Sequence, residues 1–293
     1  MILRPVFACL LLLSTTYSQR PVPQTRPPLR VAVVGFGAGA PRAIAVVVGA
    51  AFRESARVTI VDPSMLEPAL DALGYQGSLN MSTDEARRLG SAIGCDFFII
   101  GKAEVLTRSE QAGELHQEAL VAIMIIDGRT GRLAAFDLMT EKAQNAENAV
   151  GAASKTLAGR ASGYVDRMTQ FRASRELLMT SPQRPETEHI EEMPAEQSPQ
   201  AIGFKPPQFL GQVKPEYTAE AERADVTATV EVMVVLRSSG EVGEVEITRW
   251  AGFGLEESAL RAIRQLKFNP ATRNGQPVSV RAMIRYNFRR VAQ

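Results

Sequence analysis

Apolar and polar positions alternate with period two over 226–236: Val226, Ala228, Val230, Val232, Val234 and Leu236 share one face of an extended chain, and Thr227, Thr229 and Glu231 the other. Ser238-Ser239-Gly240 then turns the chain, and Val245 and Ile247 carry a second strand that ends at Gly252-Phe253-Gly254. The period changes next. Leu255, Ala259, Ala262, Ile263 and Leu266 recur at helical spacing and form one apolar stripe, so this helix is expected to lie on the sheet. After Phe268-Asn269-Pro270-Ala271, the dipeptide Asn274-Gly275 supplies a tight turn with positive φ. A last strand places Val278, Val280, Ala282, Ile284, Tyr286 and Phe288 on one face and Ser279, Arg281, Met283, Arg285, Asn287 and Arg289 on the other.

The first half of the chain mixes the two periods. Strands are expected at 29–36, 57–62 and 95–105, helices at 43–52, 65–73 and 84–93, the last opened by the capping residues Ser82 and Thr83. A hairpin follows over 120–126 and 133–139 across Asp127-Gly128-Arg129-Thr130-Gly131, and a long helix over 146–172 closes the domain. The fold class is therefore α+β. A mixed α/β domain at 29–174 precedes a small C-terminal domain at 209–293, a three-stranded sheet with a packed helix. Between them, 175–208 reads as a linker, because Pro182, Pro185, Pro194, Pro199, Pro206 and Pro207 stand among glutamates without apolar periodicity. Stretched at roughly 3.3 Å per residue, 181–208 would reach ~90 Å.

Over 206–290 the chain resembles the C-terminal domain of the TonB energy transducers. The resemblance is carried by Pro215-Glu216-Tyr217, Val230-Glu231-Val232, the turn at 238–242, the helix segment 258–263, Phe268-Asn269-Pro270-Ala271 and Asn274-Gly275-Gln276-Pro277-Val278. Two positions depart from the family: Thr218 stands where a proline usually follows the tyrosine, and Ala228 where a glycine precedes the valine of the first strand. The resemblance implies docking by strand addition, in which an extended peptide of an outer-membrane receptor or other envelope protein pairs with an exposed sheet edge. It makes Val278, Val280, Arg281, Ala282, Met283, Ile284, Arg285, Tyr286 and Phe288 the candidate edge, with Arg281, Arg285 and Arg289 placed to meet acidic partner residues. The plainer reading of these arginines is a solvated strand face.

The N-terminal region resembles the TolB N-terminal domain and the curli-secretion (CsgG-like) and lipoprotein-activator folds. The residues behind this are Val31-Ala32-Val33-Val34-Gly35-Phe36, Arg57-Val58-Thr59-Ile60-Val61-Asp62, Arg88-Leu89-Gly90 leading to 94–101, and Ile126-Asp127-Gly128-Arg129-Thr130-Gly131. Members of that shape bind other envelope proteins.

Residues 1–18 read as a secretory signal, with Arg4 before an apolar centre and small residues at Thr16 and Ser18. A Pro-rich lead-in follows at 19–28. The apolar run is shorter than the about 20 residues a membrane span requires, so a periplasmic location is expected, with an uncleaved anchor as the alternative. Loss of the signal leaves Cys95 as the single cysteine, which excludes an internal disulfide. A net charge of +1 gives no electrostatic footprint for nucleic acid. His116 and His189 are the only histidines, so neither a histidine-based metal site nor a serine triad is expected, and Glu191-Glu192 and Glu256-Glu257 read as linker and helix-start charge. Gly35-Phe36-Gly37-Ala38-Gly39-Ala40 with Asp62 imitates a dinucleotide fingerprint, but Pro41 and Arg42 interrupt the run from glycine to helix and a hairpin replaces the parallel strands of such a fold. No cofactor and no catalysis are expected. Three readings remain: an adaptor or transducer-like module that docks receptor peptides; an envelope-assembly or cell-wall-associated protein that acts through its N-terminal domain while the C-terminal domain forms a homodimer; and a dinucleotide-binding enzyme.

Overall fold

The computed structural model describes residues 26–37, 40–109, 114–180, 189–195 and 197–290. The signal expected at 1–18 lies outside them, and no helix among the described residues is long and apolar enough to cross a membrane.

The first module opens with β1 (Leu29–Gly35), α1 (Arg42–Arg53), β2 (Val58–Ile60), α2 (Leu66–Ala72) and α3 (Thr83–Ile93). Ser82 and Glu85 form a reciprocal capping box at the start of α3, which fixes that helix where the sequence places it. Then come β3 (Phe97–Ser109), β4 (Leu115–Asp127), β5 (Leu133–Ala143) and α4 (Ala146–Thr180). The sheet order is β2-β1-β3-β4-β5, parallel among the first three strands and antiparallel beyond. Helix α4 continues past the expected end at 172 because its last turns retain a tertiary partner: Arg175 forms an ion pair with the buried Asp127 of β4.

The stretch read as a linker is partly folded. It contains β6 (Ile190–Glu192), β7 (Phe204–Lys205) and β8 (Gln208–Phe209). Strands of two or three residues carry no legible period, and their stability here comes from main-chain pairing with distant strands. The rest of the chain is α5 (Ala219–Arg223), β9 (Ala228–Leu236), β10 (Val242–Arg249), α6 (Leu255–Arg264), β11 (Phe268–Asn269), β12 (Ala271–Arg273) and β13 (Gln276–Phe288). The second sheet runs β10-β9-β13-β12-β7, with β6 also paired to β13, so the expected three-stranded core (β10, β9, β13) is extended by short strands. Asn274 and Gly275 both take positive φ, 51° and 84°, in the β12–β13 hairpin turn that the dipeptide calls for.

The first sheet is covered on both faces. One face packs Val31, Phe97, Ile99, Val121, Ile123 and Ile125 against α1 and α4 through Ile44, Val48, Phe52, Tyr164, Val165 and Met168. The opposite face, with Phe98, Ile100, Leu120, Ala122, Met124 and Ile126, belongs to the same core as α2, α3 and the second module's Val230, Val232, Trp250 and Phe253. The two modules are therefore not held apart on a free tether; they share a hydrophobic core. Gly252 marks the closest approach: a Cβ there would come within 2.7–2.9 Å of Met124 and Phe136 side-chain atoms. Beside it the rings of Phe136 and Phe253 lie 4.8 Å apart.

Candidate docking site

The site is built on β13. Its inward side chains Val280, Ala282 and Phe288 are buried, and Ile284 and Tyr286 pack against the same core, as period-two alternation requires. The outward side chains are Arg281, Met283, Arg285 and Asn287, of which Met283 is 52% exposed. In the plane of the sheet, β9 pairs antiparallel with β13 from Val280 to Phe288.

The other side of β13 is where the expectation needs correction. Val278 pairs with Ala271 of β12, and Ser279, Val280 and Arg281 are paired in parallel with Ile190, Glu191 and Glu192 of β6. The main-chain N–H of Met193 donates to the Arg281 carbonyl at 3.3 Å. A strand residue directs its N–H and C=O to one side, and successive residues alternate. Since Arg281 faces away from β9, so do Met283, Arg285 and Asn287, and among the described residues no strand pairs with them there. The exposed edge is thus the second half of the strand. Val278 and Val280 lie in the covered half, where the sequence pattern could not show a neighbour supplied by a segment almost 90 residues upstream.

The arginines also differ from expectation. Arg285 donates to the Glu231 carboxylate of β9 at 2.8 Å through Nε, and Arg281 donates to Glu192 at 3.0 Å. Both are committed within the chain. Glu231 also contacts Arg249 at 3.4 Å, and Arg249 contacts Glu85 of α3 at 3.2 Å, so an alternating charge chain runs from the docking edge to the first module. Arg289 is exposed. Arg273 donates twice to Glu191, at 2.9 and 2.6 Å, and this guanidinium holds the Glu191 carboxyl below its ordinary value of 4.5.

The platform is anchored to the first module by residues that no motif announced. The Asn80 side chain pairs with Thr229 as a neighbouring strand would: its amide oxygen accepts from the Thr229 N–H at 2.9 Å, and its amide nitrogen donates to the Thr229 carbonyl at 2.8 Å and to the Trp250 carbonyl at 2.7 Å. Trp250 is buried and donates its indole N–H to the Gly131 carbonyl at 2.9 Å. Lys102 of β3 donates to the Ala224 carbonyl at 3.2 Å. A lone tryptophan following a predicted strand was the one available signal.

Elsewhere, Gly35 and Gly37 have open space where a Cβ would stand, so packing does not require the glycine pattern there. Phe36 is buried and its ring approaches Gly101, α1 starts after Pro41 with no side-chain cap, and Ala38 and Gly39 lie outside the described residues. Asp62 caps a short turn by accepting from the Ser64 N–H and hydroxyl, and the hydrogen bonds hold its carboxyl below 3.8. Glu256 accepts from the Ala251 and Gly252 N–H groups at 2.5 and 2.7 Å, closing the turn into α6; burial pushes its carboxyl up. Among the described residues, no cluster of His, Cys, Asp and Glu could hold a metal ion.

Residues 213–289 match the family model of the Gram-negative bacterial TonB protein C-terminal. Among solved structures, the chain is similar to the Pseudomonas aeruginosa TonB C-terminal domain, at 16% identity over 36% of this chain and 99% of that one, with a TM-score of 0.27. It is also similar to the C-terminal domain of LpoB from Salmonella enterica (14% identity, 42% of this chain and 87% of that one, TM-score 0.29) and to lipoprotein GNA1162 from Neisseria meningitidis (12%, 46% and 99%, TM-score 0.33). No curated protein sequence matches the chain.

Proposed function

We propose, from the match of residues 213–289 to the TonB C-terminal family model, that this is a periplasmic envelope protein whose C-terminal module docks an extended segment of an outer-membrane receptor or another envelope protein by strand addition. The observation that supports this reading is the outer side of β13, where Met283, Arg285 and Asn287 direct main-chain N–H and C=O groups away from β9 with no strand alongside among the described residues. Such an edge binds through main-chain hydrogen bonds, each contributing about 0.5–1.5 kcal/mol net, while side chains on alternate positions select the partner. The shared core makes β13 part of a rigid platform, which lowers the ordering cost of docking.

A photo-crosslinker at Met283, in cells carrying the full chain, tests it. Capture of one envelope protein through an extended segment is expected, with none from the same probe at the exposed Arg261 of α6. Equal capture from both positions, or crosslinks only to a second copy of the chain, would replace receptor docking by unspecific contact or by a homodimer.

A further inference from the structure

The docking edge is already occupied over three residues by this chain's own acidic segment. β6 runs parallel to β13, with Ile190 opposite Ser279 and Glu192 opposite Arg281. Glu191 and Glu192 each meet an arginine, Arg273 and Arg281. Arg273 also donates to the Gln200 carbonyl at 2.8 Å and so holds both the strand and the chain that follows it. The attachment is nonetheless slight. It consists of three residues in register, and the Glu192 side chain is 71% exposed in its pair with Arg281, a setting in which ion pairs add little.

We propose that β6 is a built-in, exchangeable occupant of the docking edge, and that the partner segment which replaces it has the same chemistry: an extended peptide with an apolar residue followed by two carboxylates, running parallel to β13. The proposal rests on the docking reading above. Arg273 and Arg281 then select the partner, each having a carboxylate to exchange. Release of β6 extends the free edge from the five residues 283–287 back to 279, long enough to pair with a peptide of about nine residues. In the resting chain β6 competes with every partner, and its local concentration sets how acidic and how long a successful one must be.

The probe is a fluorescent peptide with the sequence of residues 189–195, followed by anisotropy against the full chain. A released variant, I190G/E191K/E192K, is expected to bind it at least about tenfold tighter than the unaltered chain. A locked variant, I190C/S279C, should not bind it when oxidised and should bind it as the unaltered chain does after reduction, which also shows that the variant is folded. Adding R273E/R281E to the released chain should abolish binding of this peptide and transfer it to a peptide with lysine at both glutamate positions. Equal affinity for the unaltered, released and locked chains overturns the proposal, as does no binding to the released chain. Crosslinking from Met283 separates the two readings: capture of a partner with equal yield from the unaltered and released chains rejects the exchange and leaves docking intact, whereas no capture from either rejects docking itself.

Discussion

At the scale of single residues, Trp250 and Glu191 bear most on the architecture. Trp250 fills the junction of the two modules and satisfies the Gly131 carbonyl, so Trp250→Ala removes a large buried surface and orphans an acceptor. A loss of about 3–5 kcal/mol is expected. Trp250→Phe retains most of the packing and should cost about 1–3 kcal/mol for the unpaired carbonyl. The chain has one tryptophan, so circular dichroism during denaturant unfolding is the suitable readout for both variants. Glu191 gives a pH dependence of definite sign. Arg273 is the main cause of its lowered pKa, with His189 a lesser one acting in the same direction. Its contribution to holding β6 is therefore complete above about 4.5 and is lost as pH falls through the lowered folded value. A crosslink-based measure of β6 release should rise at that acidic end and stay flat from neutral pH down to about 4.5; no rise at the acidic end would show that the Arg273–Glu191 pair does not hold β6.

At the scale of elements, the alternation of main-chain direction along β13 separates docking from folding. Met283 presents its N–H to the open side, so Met283→Pro removes a docking donor while leaving the β9 ladder intact. Ile284, opposite Val232, directs its N–H to β9, and Ile284→Pro breaks that ladder. The expected outcome is a folded Met283→Pro chain that has lost partner capture, beside an Ile284→Pro chain with a much lower melting temperature. Similar melting losses for both would mean that the direction of the edge is misassigned. The main strands and helices were legible in the sequence because each spans enough residues to show its period: β9, β13, α3 and α6 fall within two residues of where alternation and capping put them. The end of α4 was not, since Arg175 acts through a partner 48 residues earlier.

At the scale of the whole molecule, two modules read as tethered turn out to share one core, which couples their stability. A single calorimetric transition is expected for the full chain, and Asn80→Ala, which cuts three hydrogen bonds across the junction, should lower it and broaden it towards two. Two well-separated transitions in the unaltered chain would contradict a shared core. The sequence by itself determined the α+β class, the order of the long elements, the Asn274-Gly275 turn and the TonB-like character of the C-terminal module, all of which depend on local conformational preference and on hydrophobic period. Only the tertiary structure decided that the modules pack together, that Asn80 imitates a strand beside Thr229, and that β6 lies on the candidate edge. Main-chain hydrogen bonds are blind to side-chain identity, and a three-residue strand is too short to carry a period, so no pattern along the chain could reveal which edge it would occupy.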